Sequence, residues 1–252
     1  MSKLKRIIVN EIEDYKILLK NVPILTMIFF VLSVIYMNIF ASKELLNVKY
    51  LALDCGFLLS WISFLCMDMI TKRFGAKAAI KLSLLALLIN LISCTTFYII
   101  SIVGNNWSAF YTYNNDIANL SLNDTFGGTW YVLLGSTIAM AVSSIVNALI
   151  NQGIGKRLRK NNFFSYAVRS YVSTALGQFV DNFVFALIVS VTFFDWNIIQ
   201  VITCSITGAI AELLVEVIFS YVGFRVCIYW EKNEIGQQYI DYINDKKQYK
   251  IK

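Results

Sequence analysis

Six long apolar stretches most constrain the fold of this chain. They cover approximately residues 22–42, 50–71, 79–103, 129–152, 166–194 and 198–226. A helix needs about 20 mostly apolar residues to cross the roughly 30 Å of hydrocarbon in a bilayer. Apolar residues make up 58% of the chain and charged residues only 15%, and the runs are too long and too uniform for barrel strands. The sequence therefore predicts an all-α, polytopic membrane protein with six transmembrane helices.

The basic residues are divided unequally between the two ends of these helices. Of the 22 Lys and Arg residues, only Lys43 and Lys49 fall in the loops on one side. Because short cytoplasmic loops are enriched in Lys and Arg, both termini are predicted to be cytoplasmic. We expect one domain over residues 1–252, made of a cytoplasmic segment, a transmembrane bundle and a cytoplasmic tail at 1–21, 22–226 and 227–252. The net charge of +6 follows from this asymmetry, so no nucleic-acid partner is expected.

Several kinds of chemistry are absent from the sequence. The chain has no histidine, and its five cysteines match no metal or redox spacing. Histidine-dependent triads and HExxH zinc sites are therefore excluded, and no paired Ser-Lys or Cys motif replaces them. Nothing resembles a phosphate-binding P-loop, so any use of ATP would require a partner protein. We expect no enzymatic activity, no catalytic residues, no metal site and no cofactor.

The fifth apolar stretch carries polar residues at helical spacing. At 100° per residue, Ser170, Thr174, Gln178 and Asp181 fall on one narrow stripe, with Ser173 at its border. Charged groups at bilayer depth are costly and usually mark functional sites. Ser and Thr on such a stripe also serve close helix packing, and for the hydroxyl residues both interpretations remain open. The carboxylate and the amide favour a binding site.

Other stretches contribute further polar candidates. Glu212 and Glu216 lie one turn apart in the sixth stretch, with no basic residue before Arg225. They must face protein or a watery cavity. Asp68, in the second stretch, is either a site residue or an ion-pair partner for an arginine at the membrane rim. The substrate-binding residues predicted from the whole chain are Asp181, Gln178, Glu212, Asn38, Asp68, Ser170, Ser173, Thr174 and Glu216.

Two polar segments outside these stretches have no single predicted structure. The connection 104–129 has no Lys or Arg, and its length makes it either a lid or an irregular cap. The tail after residue 231 carries apolar residues at helical spacing, which is compatible with a short surface helix or with disorder.

Four motifs resemble one transporter family in the same order along the chain. SFLCMDMITKRFGAKAAIK (63–81) resembles its D-x-x-T/V-E/R-x-F/Y-G element, and RSYVSTALGQFVDNFVF (169–185) resembles its R-S-x-x-S-T-x-x-G-Q-x-x-D-x-x-x-F helix. MNIFASK (37–43) and VNALINQGIGKRLRK (146–160) resemble its first-span and fourth-span elements. The family is the queuosine precursor transporter family, of the vitamin uptake transporter type.

The resemblance implies a function and a set of partners. It implies a multi-pass importer of 7-deazaguanine bases, such as preQ0, preQ1 or queuine, in the bacterial cytoplasmic (plasma) membrane, with the lipid bilayer as its surroundings. Many members carry a lysine where this chain has Glu212, and Lys72 stands where an acidic residue is usual. A carboxylate at position 212 would suit a base that carries an amine, such as preQ1 or queuine. The resemblance implicates Asn38, Asp68, Ser170, Ser173, Gln178 and Asp181.

Two transport mechanisms remain open at this point. The chain is either a self-sufficient secondary importer, coupled to protons or not, or the substrate-binding S component of an energy-coupling-factor importer with coupling ATPases as partners. A homo-oligomer is compatible with either. A purely structural membrane subunit is the alternative outside transport, and it predicts that loss of the Asp181 carboxylate has no effect.

Overall fold

The computed structural model describes residues 3–41, 43–103, 107, 116–127, 130–158 and 160–251. This part of the chain is largely helical, as predicted. Its elements, in chain order, are α1 (Lys3–Asn21), α2 (Ile24–Phe40), β1 (Glu44–Val48), β2 (Leu51–Asp54), α3 (Phe57–Phe74), α4 (Ala76–Ile102), α5 (Asp116–Gly127), α6 (Trp130–Arg157), α7 (Phe163–Phe185), a π-helical turn (Ala186–Ser190), α8 (Val191–Phe194), α9 (Ile198–Lys232) and α10 (Gln237–Ile251).

The long helices form an antiparallel bundle with α7 packed between α6 and α9. The strands and α5 lie at one end of the bundle, which we call the hairpin end. At the other end, α1 and α10 pack against each other beside the α3–α4 turn, and we call this the basic end. The apolar core fills the space between α2, α3 and α4, where Phe30, Met67, Ile70 and Leu82 are fully buried.

Local sequence sets several of the helix ends. The Asn197 side chain accepts from the backbone N–H of Gln200, and the Gln200 side chain accepts from the backbone N–H of Asn197, so a capping box opens α9. The Asn162 side chain caps α7 by accepting from the backbone N–H of Ser165 at 2.9 Å. Between α3 and α4, Gly75 has a φ of 88°, a conformation that favours glycine. These polar and glycine positions explain why the chain reverses where it does.

The predicted second stretch, 50–71, begins too early. Residues up to 54 belong to an antiparallel hairpin in which Val48 pairs with Leu51, and α3 begins only at Phe57. The Asp54 carboxylate accepts from the backbone N–H of Phe57 at 3.3 Å. A Cβ on Gly56 would lie 2.5 Å from the carbonyl oxygen of Met37, so this glycine allows the turn to pack on α2. A short apolar run such as LAL does not by itself distinguish strand from helix.

Four helical segments of the described chain are long and apolar enough to cross a membrane, or five if the bent pair α1 and α2 counts as one span. Within the described ranges, α3 falls outside this set, because its 18 residues include Asp68, Lys72 and Arg73. The six-span count and the cytoplasmic placement of the termini stay predictions. Half of the connection 104–129 lies outside the described residues. Its second half forms α5, and its role as a lid also stays a prediction.

The outer faces of the bundle are apolar. Large side chains such as Ile24, Ile99, Leu214 and Ile218 are more than two-fifths exposed, whereas the polar residues on the inner faces of the same bundle are buried. This distribution is the reverse of a soluble domain and is the one a bilayer requires. This pattern of exposure agrees with the prediction of a multi-pass membrane protein.

Asp14 joins three helices at the basic end. Its buried carboxylate accepts hydrogen bonds from Lys81 of α4 at 3.2 Å, from Tyr242 of α10 at 2.7 Å and from Lys246 of α10. The tail after residue 231 therefore includes a docked helix. Phe74 supports this docking, since its ring lies 6.1 Å from that of Tyr239.

Acid should weaken this attachment in a predictable pH range. Burial raises the pKa of Asp14, but hydrogen bonds from Lys246, Tyr242 and Lys81 outweigh it and hold the pKa below the ordinary value of 3.8. A lowered folded-state pKa stabilises the fold above the unfolded-state pKa, and this contribution is lost as the pH falls through the folded-state value.

We expect the difference in Tm between wild type and Asp14→Asn to shrink as the pH falls from about 5 to about 3. Thermal unfolding at a series of pH values measures it, with Asp241→Asn as the exposed control. A difference that stays constant over this range would contradict the assignment.

Candidate functional site

A cavity of about 860 Å³ opens at the hairpin end. Its size falls within the range of roughly 300–1,000 Å³ typical of small-molecule sites. The hairpin and helices α2, α4, α5, α6, α7 and α9 all contribute to its wall. Apolar and aromatic side chains supply much of the surface, and the polar residues that line it include Asn38, Glu44, Asn47, Asp54, Asp124, Thr125, Asn182, Ser190 and Ser205.

The π-helical turn places α7 against this cavity. Ala186, Val189 and Ser190 of that turn all line the cavity, next to Phe185. A π-helical turn widens the backbone and occurs frequently at functional sites. The C-terminal end of α7 thus supplies part of the cavity wall, and the helical turn before it supplies the polar residues next to the cavity.

Asn38 and Asn182 lie on two sides of the cavity. The Asn38 amide donates to the carbonyl oxygen of Val34 at 2.9 Å and accepts from the hydroxyl of Ser136, so its hydrogen bonds are largely used. The Asn182 amide nitrogen is buried, and no acceptor among the described residues reaches it. It lies 3.0 Å from where a Cβ on Gly208 would be, so the glycine in α9 makes room for it. Asn182 therefore lines the cavity with an amide that lies next to the Glu212 carboxylate.

Asp181 and Gln178 lie directly below Asn182 on α7. The Oδ1 atom of Asp181 accepts from the Ser143 hydroxyl of α6 at 2.8 Å. In the described part of the chain, Oδ2 of Asp181 has no donor. The Gln178 side chain is fully buried, and within the same ranges neither its nitrogen nor its oxygen has a partner. Leaving such groups unpaired costs about 1–3 kcal/mol, so this level of the bundle has hydrogen-bonding capacity that the fold does not use.

Glu212 faces this level from α9. It lies beside Ser60 of α3 and Asn182 of α7, and Asp181 and Asp54 are close enough to interact with it electrostatically. Its side chain is nearly buried, with 8% of the residue exposed. Two helices, α7 and α9, therefore bring two carboxylates and two amides to one level of the bundle.

Asp68 is the centre of a second polar level, one to two turns deeper. Its Oδ1 accepts from the Asn147 amide at 3.0 Å and from the Ser173 hydroxyl at 3.4 Å. Its Oδ2 accepts from the hydroxyls of Ser170 and of Thr174, the latter at 3.3 Å. All five residues are fully buried. This carboxylate thus ties α3 to α6 and α7.

Glu216 shares two of those donors. The hydroxyls of Ser170 and Thr174 lie 2.9 Å and 3.2 Å from its Oε1, while no donor among the described residues reaches its Oε2. A hydroxyl carries one hydrogen and so donates to one acceptor at a time. Asp68 and Glu216 therefore compete for two hydrogens in a space closed to solvent.

Arg169 ends this series at the basic end. Its Nε donates to the Asn151 oxygen at 2.8 Å, and the Asn151 amide donates to the Ser173 hydroxyl at 3.1 Å. The guanidinium lies over Gly155, where a Cβ would come within 2.7 Å of Nη1. From Asn182 to Arg169 the helix rises roughly 20 Å. A continuous column of buried polar groups, which we call the polar column, therefore joins the cavity to the basic end.

Comparison with known protein families identifies the family of this chain. Residues 54–226 match the profile of a family described as "Putative vitamin uptake transporter". The chain belongs to this family. No curated protein and no solved structure gave a match. Membership in the vitamin uptake transporter family makes the protein a multi-pass membrane transporter for a small molecule, and the matched segment contains every predicted site residue except Asn38.

The structure places the predicted residues of this vitamin uptake transporter at three positions. Asn38 is the one that lines the large cavity. The next level contains Gln178, Asp181 and Glu212, and the deeper level contains Asp68, Ser170, Ser173, Thr174 and Glu216. For the alternative role of Asp68 as an arginine's ion-pair partner, the described residues show no salt bridge within 4.0 Å, but Arg169 is near enough to interact with this carboxylate electrostatically. Its connection to Arg169 runs through Ser173 and Asn151.

Several residues of the polar column were not predicted as site residues. Helical periodicity did not select Asn182, because this residue lies beside the polar stripe of α7 and not on it. The α6 residues Ser136, Ser143, Asn147 and Asn151 are separated by seven, four and four positions, which places them on one helical face. That spacing is the signal in the sequence that could have identified the α6 side of the column.

Proposed function

We propose that this vitamin uptake transporter imports 7-deazaguanine bases, the precursors of queuosine, by secondary active transport. The observation that carries the proposal is the buried amide of Gln178, which has no partner among the described residues, beside the open oxygen of Asp181. A buried polar group of this kind is usually completed by another molecule.

The chemistry of these groups matches a guanine-like edge. Such an edge presents a ring N–H and an amino group side by side, and a carboxylate can accept from both. Asp181 supplies the carboxylate. Gln178, three residues away on the same face of α7, can donate to the ring oxygen and accept from a neighbouring donor. The adjoining cavity, with Asn182 in its wall, provides a route of sufficient size.

The polar column supports secondary transport over an S component. An S component needs only a binding site, whereas this bundle continues its buried polar groups through Asp68 and Glu216 to Arg169. Ionisable residues inside a membrane commonly mark ion or proton pathways. The S component with coupling ATPases is the competing mechanism.

Uptake of labelled preQ1 in a precursor-auxotrophic host tests the proposal. The host should lack coupling ATPases, and restoration of queuosine in its tRNA provides a second readout. We expect uptake and restored queuosine with this chain alone. Uptake that appears only when coupling ATPases are supplied would establish the S-component mechanism. No uptake of any 7-deazaguanine base in either host would refute the substrate assignment.

Glu212 is expected to set the preference among these bases. The amine of preQ1 is positively charged at neutral pH, whereas the nitrile of preQ0 is uncharged, so a carboxylate facing the ligand favours preQ1. We expect Glu212→Lys to reverse the preference, with preQ1 losing at least about tenfold in apparent affinity, which corresponds to about 1.4 kcal/mol. Competition of unlabelled preQ0 and preQ1 against labelled queuine measures it.

The matched control for this prediction is Glu212→Gln. It keeps the shape of the side chain and removes its charge, so it should reduce the preference without reversing it. A wild-type protein that ranks preQ0 above preQ1 would contradict the role given to Glu212.

A further inference from the structure

A second cavity, of about 280 Å³, lies at the basic end. It is separate from the cavity at the hairpin end and is bounded by the last turns of α3 and α6, the first turns of α7 and the docked helix α10. The residues that line it are Thr71, Lys72, Arg73, Phe74, Gly75, Gln152, Gly155, Lys156, Arg169, Tyr239, Ile240, Ile243 and Asn244.

The charge of this lining has one sign. Among the described residues, four basic ones contribute to it, and no Asp or Glu does. Lys72 is paired with Glu231 outside the lining. Arg73 donates only to neutral acceptors, the carbonyl oxygen of Ile235 at 2.9 Å and the side-chain oxygen of Gln237 at 3.2 Å. The pocket therefore holds an excess of positive charge beyond its one ion pair.

The remaining two cations have unused donors. The Nε and Nη2 atoms of Arg169 both donate to the neutral Asn151 oxygen. In the described ranges, Nη1 of Arg169 has no acceptor. For Lys156, the described part of the chain likewise supplies no carboxylate within 4.0 Å. Asp68 and Glu231 are near enough to interact with Arg169 electrostatically, but no salt bridge within 4.0 Å joins either to it in the described chain. A guanidinium and an ammonium that line a partly enclosed space without a direct ion pair form an anion-binding arrangement.

Thr71 provides an independent indication of a ligand. This residue is 2% exposed, and its hydroxyl has no partner among the described residues although it lines the pocket. A buried hydroxyl without a hydrogen bond is destabilising, and an oxyanion in the pocket would satisfy it. Gly75, the N-cap of the 27-residue helix α4, lies in the same wall. The backbone N–H of Ala76 donates to the Gln152 side chain at 2.9 Å, so this helix end contributes the partial positive charge of its dipole more than free donors.

We propose that this pocket binds a phosphate group. A guanidinium, an ammonium and an unpaired buried hydroxyl line it, next to the positive end of the α4 dipole, which suits a tetrahedral oxyanion with several acceptor oxygens. The phosphate comes from a lipid headgroup or from the free anion, since both offer the same chemistry. Because α10 forms one wall of the pocket, the bound anion also fastens this helix to the bundle.

Thermal unfolding of the purified full-length protein tests the site. The probes are inorganic phosphate, added in detergent at constant ionic strength with chloride as the reference, and phosphatidylglycerol, added in detergent with a phosphate-free diacylglycerol glycolipid as the reference. A ligand that binds only the folded state raises the Tm, and the stabilisation grows with the logarithm of 1 + [L]/Kd. We expect at least one of these probes to raise the Tm of wild type, and the responding probe identifies the source of the phosphate.

Three variants test whether the change in Tm arises from binding in this pocket. Lys156→Gln should weaken the effect about tenfold in apparent affinity, as expected for loss of one charge-assisted hydrogen bond. Thr71→Val should also weaken it while leaving the empty protein at least as stable, because it removes an unpaired buried hydroxyl. Lys77→Gln, which removes an exposed lysine outside the lining, is the matched control and should respond like wild type. A response absent from both probes, or equal in all variants, would overturn the proposal.

Discussion

Asp181→Asn is expected to lower the initial rate of preQ1 uptake by about 10- to 100-fold. Hydrogen bonds to a charged group contribute about 1.5–3 kcal/mol, and each 1.4 kcal/mol is about tenfold in affinity. An amide in place of the carboxylate keeps one acceptor oxygen for the Ser143 hydroxyl. It also directs an NH₂ group towards the base, where the ring N–H and the amino group need acceptors. The fold should persist and transport should fail.

Asp195→Asn is the matched control for this prediction. It makes the same chemical change at the hairpin end, at an exposed residue that does not line the cavity. Its φ of 50° is left-handed, and Asn tolerates that region well. Its uptake should equal that of wild type, and the Tm of both variants should stay near the wild-type value. Unchanged uptake by Asp181→Asn would remove Asp181 from the site and favour a purely structural role.

Asp68→Ala is expected to lower the free energy of unfolding by about 2–4 kcal/mol. The hydroxyls of Ser170 and Thr174 retain Glu216 as an acceptor, but the Asn147 amide loses its only hydrogen bond in the described structure. Its oxygen is already unpaired, so the whole amide would be buried without a partner. The substitution also leaves a cavity between α3, α6 and α7. Denaturant or thermal unfolding in a fixed detergent measures the change.

Two comparisons separate this network effect from ordinary truncation. Asp68→Asn keeps an acceptor oxygen in place and should cost clearly less. Ser83→Ala removes another buried polar group, but that hydroxyl donates only to the carbonyl oxygen of Ala79 in its own helix, so it should cost less than about 1 kcal/mol. A stability of Asp68→Ala equal to that of Ser83→Ala would show that the hydrogen bonds of Asp68 do not hold these helices together.

Helical periodicity predicted one side of the site well. Ser170, Thr174 and Gln178 share one face of the fifth apolar stretch, and the structure buries all three completely. The reason is general: residues three and four apart in a helix must lie on the same side. The long apolar runs likewise indicated a helical membrane protein, because each run is far longer than a strand needs to be.

The sequence pattern could not predict which residues of different helices contact each other. The contact between Asp68 and Ser170 joins residues 102 positions apart. Periodicity defines the face of one helix, but the rotation and depth of its neighbour follow from packing, for example where Gly177 lets α7 approach Phe64 and Asn147. The hairpin was missed for a different reason: Leu51, Ala52 and Leu53 are as apolar as the helix that follows them.

The attachment at Asp14 has a consequence for both ends of the chain. Since Lys81, Tyr242 and Lys246 meet on this one carboxylate, release of α10 removes two of its three donors and uncovers the side of α1 that it covered. The first and last helices, more than 200 residues apart in sequence, therefore share one buried carboxylate, while Glu11 and Tyr15 still join α1 to Lys81 of α4. We therefore expect a truncation that removes α10 to weaken the attachment of α1 as well.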